Sequence, residues 1–167
     1  MKKLLLLWLF CSVLTLSKLK AQSTPPSLKR AQNVFVEIGG QGLLFTANYD
    51  TRFFNKRNGL GGRAGIGYMS IDNDKITTFP ISLNYLLGKG KSFFEVGLGA
   101  TFLASSDGST GILFDGGSEG AVLGTMSFSY RLQPEDSGFS FRAGLTPIFN
   151  ESDFIPYYGG ISLGYSF

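Results

Sequence analysis

The chain of 167 residues contains no histidine, the side chain that most often acts as a general base near neutral pH. Its single cysteine, Cys11, and its single tryptophan, Trp8, both lie near the amino end. Beyond that end, disulfides and the usual zinc, copper and haem ligands are therefore excluded. No pair of acidic residues stands out from a turn context. The sequence thus predicts a protein that is not an enzyme and holds no cofactor.

The apolar run from Leu4 to Leu16 is shorter than the roughly 20 residues that a membrane-spanning helix needs. A basic start precedes it, and Ala21 is the small residue expected before a cleavage site. This arrangement is typical of a secretory signal peptide over residues 1–21, and not of an uncleaved anchor. A lipoprotein is not expected, because bulky Phe10 precedes Cys11 where a lipidation site has a small residue.

The basic character of the full chain comes from this leader. Its four lysines, Lys2, Lys3, Lys18 and Lys20, would leave with the signal peptide. Of the 15 basic residues, 11 would then face 12 acidic ones, so the net charge changes from +3 to about −1. A surface that binds nucleic acid is therefore not expected.

Charged residues make up only 16% of the chain, which has 23 glycines, 16 phenylalanines and 7 tyrosines. Such a composition is unusual for a soluble domain and typical of membrane barrels, in which apolar residues alternate with Gly, Ser and Thr. An aromatic-rich soluble sandwich would show a similar alternation and stays the alternative.

After a flexible lead-in over residues 22–32, eight segments alternate between large apolar residues and small or polar ones, with turn residues between them. Strands of about 10 residues in an even number predict an all-β fold, an eight-stranded antiparallel up-and-down transmembrane β-barrel over residues 33–167. The predicted strands cover residues 33–41, 43–54, 60–71, 76–87, 92–104, 122–132, 139–149 and 157–167.

Two details of this pattern are specific enough to test. Pro80 lies inside the fourth predicted strand, and because proline cannot donate to the ladder, we expect it at the rim or at a bulge. Aromatic residues cluster near both ends of the strands, with Phe93 and Phe94 among them, as lipid-facing girdles do.

The connections alternate between the two sides of the predicted barrel. If the first strand starts in the periplasm, the longest connection, residues 105–121, falls on the outer side. Its apolar triplet Ile112-Leu113-Phe114 is the candidate contact site for an extracellular partner, unless the flanking strands simply extend and pair there. Asp107, Asp115 and Glu119 could supply calcium ligands, but their spacing fits no EF-hand loop.

Seven charged residues face the barrel interior by the parity of the alternation. Buried charges are tolerated only when paired, so we expect them to interlock as a plug in the periplasmic half, which is also how an eight-stranded barrel ordinarily fills its interior. The outer half of the inward face carries mainly glycine and threonine and predicts a narrow pocket open to the outside. The seven residues, here called the charge cluster, are Glu37, Asp50, Arg52, Arg63, Glu95, Arg131 and Arg142.

The last strand alternates Ile161, Leu163, Tyr165 and Phe167 with small residues. This ending resembles the C-terminal recognition signal of bacterial outer-membrane barrels. In strand number, loop asymmetry and terminal Phe, residues 33–167 resemble the small OmpA/OmpX-like barrels. The resemblance implies export across the inner membrane to the bacterial outer membrane, insertion by the barrel-assembly machinery, contact with outer-membrane lipid, and a monomer.

These features together favour a non-enzymatic outer-membrane barrel with a structural or surface-interaction role through its outer loops. A passive, porin-like small pore is the alternative. A secreted lipocalin-like ligand-binding barrel is less favoured, because the chain beyond the leader lacks the tryptophan of the lipocalin Gly-x-Trp signature.

Deletion of Phe167 is expected to impair membrane insertion, because it removes the terminal aromatic of the predicted assembly signal. The amount of barrel recovered in the membrane fraction would measure this, with Phe167→Tyr as the control that keeps a terminal aromatic. Normal membrane levels of the deletion variant would contradict the assignment.

Overall fold

The computed structural model of the chain describes residues 30–71, 74–105 and 120–167. The predicted signal peptide, most of the lead-in, the triplet Ile112-Leu113-Phe114 and the acidic residues of the same connection lie outside the described residues. Among the described residues, no helix is both long and apolar enough to cross a bilayer.

Strands account for most of the described chain, together with one 3-10 turn at Gly40–Gly42. The strands are β1 (Gln32–Gly39), β2 (Phe45–Arg52), β3 (Gly59–Ile71), β4 (Asp74–Lys89), β5 (Ser92–Ser105), β6 (Gly120–Leu132), β7 (Gly138–Leu145), β8 (Ile148–Phe149), β9 (Phe154–Ile155) and β10 (Gly159–Ser166).

Eight of these strands form one closed antiparallel barrel in the order β1 to β7 followed by β10, which pairs with β1. Seven residue pairs, from Asn33↔Ser166 to Gly39↔Gly160, make this closure. The predicted eight-stranded antiparallel barrel is confirmed. We call the end where residues 40–44 join β1 to β2 the loop end, and the end that carries residues 30–32 and Phe167 the terminus end.

The two faces of each strand follow the alternation of the sequence, because successive side chains of a strand point to opposite sides. In β1, Val34, Val36 and Ile38 are exposed on the outside, whereas Phe35 and Glu37 are buried inside. The terminal strand β10 repeats the pattern, with its large apolar residues outside and its serines inside. The outer surface of the barrel is therefore apolar and its interior polar.

Pro80 lies in the middle of β4, so the expectation of a rim or bulge position is wrong. It is buried and lies opposite Thr101 of β5. Toward β3, the pairs Ala64↔Ile81 and Gly67↔Thr78 flank a gap in the ladder, and the register is the same on both sides of that gap. The missing N–H of proline is accommodated by a local opening of the β3–β4 ladder and not by an extra residue.

The seventh predicted strand, residues 139–149, is observed as two pieces, β7 and β8, in one continuous register along β6. Thr146 and Pro147 separate them, because proline has no N–H to donate. Other backbone groups of these two residues still form hydrogen bonds. The Pro147 carbonyl accepts from the Met126 amide at 2.9 Å, and the Thr146 amide donates to the Tyr158 carbonyl at 2.7 Å. The short β8–β9 hairpin then continues at the loop end.

Gly160→Ala is expected to destabilise the barrel. Its Cβ would lie 2.5 Å from the amide nitrogen and 2.6 Å from the Cα of Gly40, and backbone atoms cannot rotate away. Overpacking of this kind costs about 1–3 kcal/mol, measurable by urea unfolding in detergent. Gly138→Ala is the matched control, because its nearest contact is the Pro134 side chain at 3.3 Å; equal losses in both variants would contradict the packing argument.

Candidate functional site

All seven residues of the charge cluster lie inside the barrel with buried side chains. Asp50 and Arg52 share the inner face of β2, because alternate residues of a strand point the same way. The Asp50 carboxylate lies 2.7 Å from the Arg52 guanidinium and 2.9 Å from that of Arg131 on β6. One buried carboxylate therefore joins two guanidinium groups across the lumen.

Glu95 extends this arrangement into an alternating chain. Arg131 and Arg142 stand directly opposite each other on β6 and β7, where like charges repel. The Glu95 carboxylate, from β5, lies 3.2 Å from Arg131 and 3.1 Å from Arg142. The resulting order, Arg52–Asp50–Arg131–Glu95–Arg142, places a carboxylate between each pair of neighbouring guanidinium groups.

The other ion pair joins Arg63 of β3 to Glu37 of β1. The plug was predicted in the periplasmic half, on the side of the terminus end, but Glu37 does not lie there. It is two residues from the loop-end limit of β1, and its carboxylate lies against Gly40. Arg63 also donates from Nε and Nη2 to the Oδ1 of Asn48, at 3.0 and 2.9 Å. This pair therefore connects the ionic interior to the loop end.

Three interior residues complete the network and were missed by the sequence analysis. The Asn84 side-chain amide donates to Asp50 at 2.6 Å and accepts from Arg52, whereas the Asn48 amide accepts from Arg63 and donates to the Thr46 hydroxyl at 2.8 Å. The ring of Phe35 makes cation–π contacts with two guanidinium groups, those of Arg63 and Arg142, whose Cζ atoms lie 4.9 and 4.5 Å from the ring centroid. All three lie at inward positions, so the same parity that found the charges could have found them.

The loop end is covered by residues 40–44, here called the inward turn, which folds into the lumen. Gly40, Gln41, Gly42 and Leu43 are all buried. The inner wall holds them through hydroxyl groups: Thr78 donates to the Gly42 carbonyl at 3.1 Å, Thr101 donates to the Gln41 carbonyl, and Ser82 donates to the Gln41 side chain at 2.8 Å. The predicted open pocket is wrong, because the inward turn occupies it.

Leu43 adopts a strained backbone conformation directly after the 3-10 turn. Its φ of 77° and ψ of −69°, with the Leu44 amide 3.2 Å from the Gly42 carbonyl, define a γ-turn of the rare form. Burial compensates for the strain, because the side chain packs in an apolar cluster. The other members of this cluster are Ile76, Leu103, Leu123 and Ile148.

Tyr158 holds the inward turn from the segment before β10. Its hydroxyl donates to the Leu43 carbonyl. Burial raises the pKa of the Tyr158 phenol, and the negative charge of Glu37 adds to the effect. The phenol therefore stays protonated and remains a donor across the neutral range.

The terminus end is covered by Arg57, from the turn between β2 and β3. Its guanidinium donates to the carbonyls of Gly90, at 2.8 Å, and of Gln133, at 2.9 Å, so it ties three turns together. It also lies 5.8 Å from the ring centroid of Phe93. Phe93 is only 3% exposed, so its predicted place in the lipid-facing girdle is wrong; Phe94, its neighbour, faces outward.

The closed wall, the apolar outer surface and the filled ionic interior define the class: a small eight-stranded β-barrel of the membrane type. No protein-family model and no curated protein matches the chain. Among solved structures, the chain is similar to the N-terminal β-barrel domain of Pseudomonas aeruginosa OprF, with a TM-score of 0.56 and 13% identity over 83% of this chain and 96% of that one. This likeness shows the fold, that of a small outer-membrane barrel, as the sequence resemblance predicts.

The outer membrane enzyme PagL also matches, with a TM-score of 0.43 and 16% identity over 81% of this chain and 97% of that one. A likeness this distant says nothing about chemistry. In the described part of the chain, no three His, Cys, Asp or Glu side chains converge as a metal site requires.

Asp50→Asn is expected to lower the free energy of unfolding by about 3–5 kcal/mol, because it leaves the buried Arg52 without a carboxylate and Arg131 with Glu95 alone. Urea unfolding in detergent micelles measures the change. Asp136→Asn, at an exposed turn position, is the matched control and should stay within about 0.5 kcal/mol of the parent. Losses of similar size in both variants would contradict the central place of Asp50.

Leu43→Ala is expected to cost roughly 2–5 kcal/mol through lost burial. Leu43→Gly loses the same contacts but relieves about 1–3 kcal/mol of backbone strain, so it should be no less stable than the alanine variant. At lipid-facing Leu98 the backbone is an ordinary strand, so Leu98→Gly should instead be less stable than Leu98→Ala. Comparing the two pairs by urea unfolding tests the strain; the same order at both positions would refute it.

Proposed function

We propose that the protein is an integral membrane barrel of the bacterial outer membrane whose interior is closed to continuous solute flow, and which acts structurally or by surface contacts at its loop end. One observation carries the proposal. Large apolar side chains cover the outside of the closed wall, while the lumen is filled by paired charges and by the inward turn.

The outer surface supports the membrane location. Exposed apolar patches on soluble monomers rarely exceed a few hundred Å², whereas here large exposed side chains occur on every strand of the wall. Aromatic residues lie at both levels where a girdle is expected. Toward the terminus end they are Phe53, Phe94, Tyr130, Phe139 and Tyr165, and toward the loop end they are Tyr68, Phe79 and Phe102.

The interior supports a closed and non-enzymatic barrel. The three buried carboxylates, Glu37, Asp50 and Glu95, all pair with guanidinium groups inside the barrel, where they hold the interior together. The inward turn covers one end of the lumen and Arg57 the other. The remaining candidate for function is the exposed loop end.

The surface role is assigned to the loop end, on the outside of the cell. β4, with 16 residues, and β5, with 14, are longer than β1 and β10, with 8 each. The wall is therefore tallest where β5 ends and β6 begins. The chain between these two strands contains the triplet Ile112-Leu113-Phe114, the predicted contact for a partner.

Two measurements test the proposal together. Extraction should require detergent, and the extracted barrel should shift its gel mobility on heating; recovery in the aqueous phase without detergent would refute the membrane location. In planar bilayers the purified barrel should pass no current above leak. Continuous conduction would refute the closed interior and favour the pore.

A further inference from the structure

The positive and negative charges of the charge cluster do not cancel. Three carboxylates face four guanidinium groups inside the described barrel. Arginine stays protonated in proteins, even when it is buried. The interior therefore carries one positive charge that no carboxylate of the described chain neutralises.

The surplus charge can be assigned to one residue from the contacts of all four arginines. Arg52 has Asp50, Asn84 and the Gly59 carbonyl, at 3.0 Å. Arg63 has Glu37 and Asn48, and Arg131 has both Asp50 and Glu95. Arg142 has only Glu95, which it shares with Arg131.

Arg142 also makes no hydrogen bond within the described part of the chain. Its Nη2 is 3.1 Å from the Glu95 carboxylate, yet neither Nε nor either Nη atom has a hydrogen-bond partner there. The residue is only 5% exposed. Glu95 thus balances part of the charge of Arg142, but five buried N–H donors that lack well-formed hydrogen bonds are strongly unfavourable unless a further acceptor reaches them.

The surroundings of Arg142 favour a negative acceptor. Arg131 stands directly opposite it on β6, and Arg63 shares the Phe35 ring with it. On the other side, Ser162 of β10 is its cross-strand partner and supplies a small hydroxyl side chain. Three guanidinium groups thus converge on this region, where Glu95 is the carboxylate in contact with Arg142, and the Glu37 and Asp50 carboxylates are engaged by Arg63, Arg52 and Arg131.

We propose that the Arg142 guanidinium holds a small monovalent anion of the halide type inside the barrel. The inward turn lies across the loop end and Arg57 bridges the turns at the terminus end, so we expect a small ion that is enclosed as the barrel closes. The anion neutralises the surplus charge and accepts from the unpaired N–H groups of Arg142. The inference goes beyond the proposed function and depends only on the folded interior.

The first test compares the barrel refolded in detergent in sodium chloride, sodium bromide or sodium gluconate at equal ionic strength. A ligand that binds only the folded state stabilises it in proportion to the logarithm of its concentration. The unfolding rate of the parent protein should therefore fall several-fold from gluconate to halide. Arg142→Gln should abolish this halide effect, whereas Lys91→Gln, at an exposed turn lysine, should keep it.

A second readout needs no variant. Crystals of the parent protein refolded in bromide should show an anomalous scattering peak within hydrogen-bonding distance of the Arg142 nitrogens. No peak, or a halide effect that persists in Arg142→Gln, would overturn the proposal. Heat-modifiable mobility establishes that each sample is folded, so a failure here is distinct from a failure of the membrane barrel itself.

Discussion

The carboxylate of Asp50 is the contact on which the interior most depends. A closed eight-stranded wall cannot collapse onto its contents. The inward-facing side chains must therefore fill the lumen and find their hydrogen-bond and charge partners among themselves. Asp50 does both for β2 and β6, by linking Arg52 to Arg131, and Glu95 carries the same alternation on to β7. The lumen is thus filled by long guanidinium side chains that carboxylates hold in place, together with the amides of Asn48 and Asn84.

Glycine on the inner wall makes room for those long side chains. A Cβ on Gly61 would meet the Arg52 guanidinium, and one on Gly164 would meet the Phe35 side chain. A large side chain on one strand therefore stands beside a glycine on the neighbouring strand. Within the described residues, the apolar cluster of buried side chains includes Leu43 of the inward turn, so the barrel has an ionic core toward the terminus end and an apolar cluster toward the loop end.

The parity of alternation was enough to predict the strand count, the closure and the inward position of the seven charges, because period two is a local property of the sequence. It could not predict what the connections do. The inward turn depends on hydroxyl groups of Thr78 and Thr101 that are distant in sequence. Phe93 was misplaced for a related reason, since its inward direction is stabilised by Arg57 from another turn.

The unequal height of the wall has a consequence for the surrounding lipid. Eight residues of strand reach about 26 Å, and at a tilt of about 40° they rise only about 20 Å. Four neighbouring strands, β2, β1, β10 and β7, have this length. An apolar band of about 25 Å is usual for such barrels, so the bilayer beside these strands must thin, while beside β4 and β5 it need not. The bilayer is therefore expected to be thinner along these four strands than along β4 and β5, on another side of the barrel.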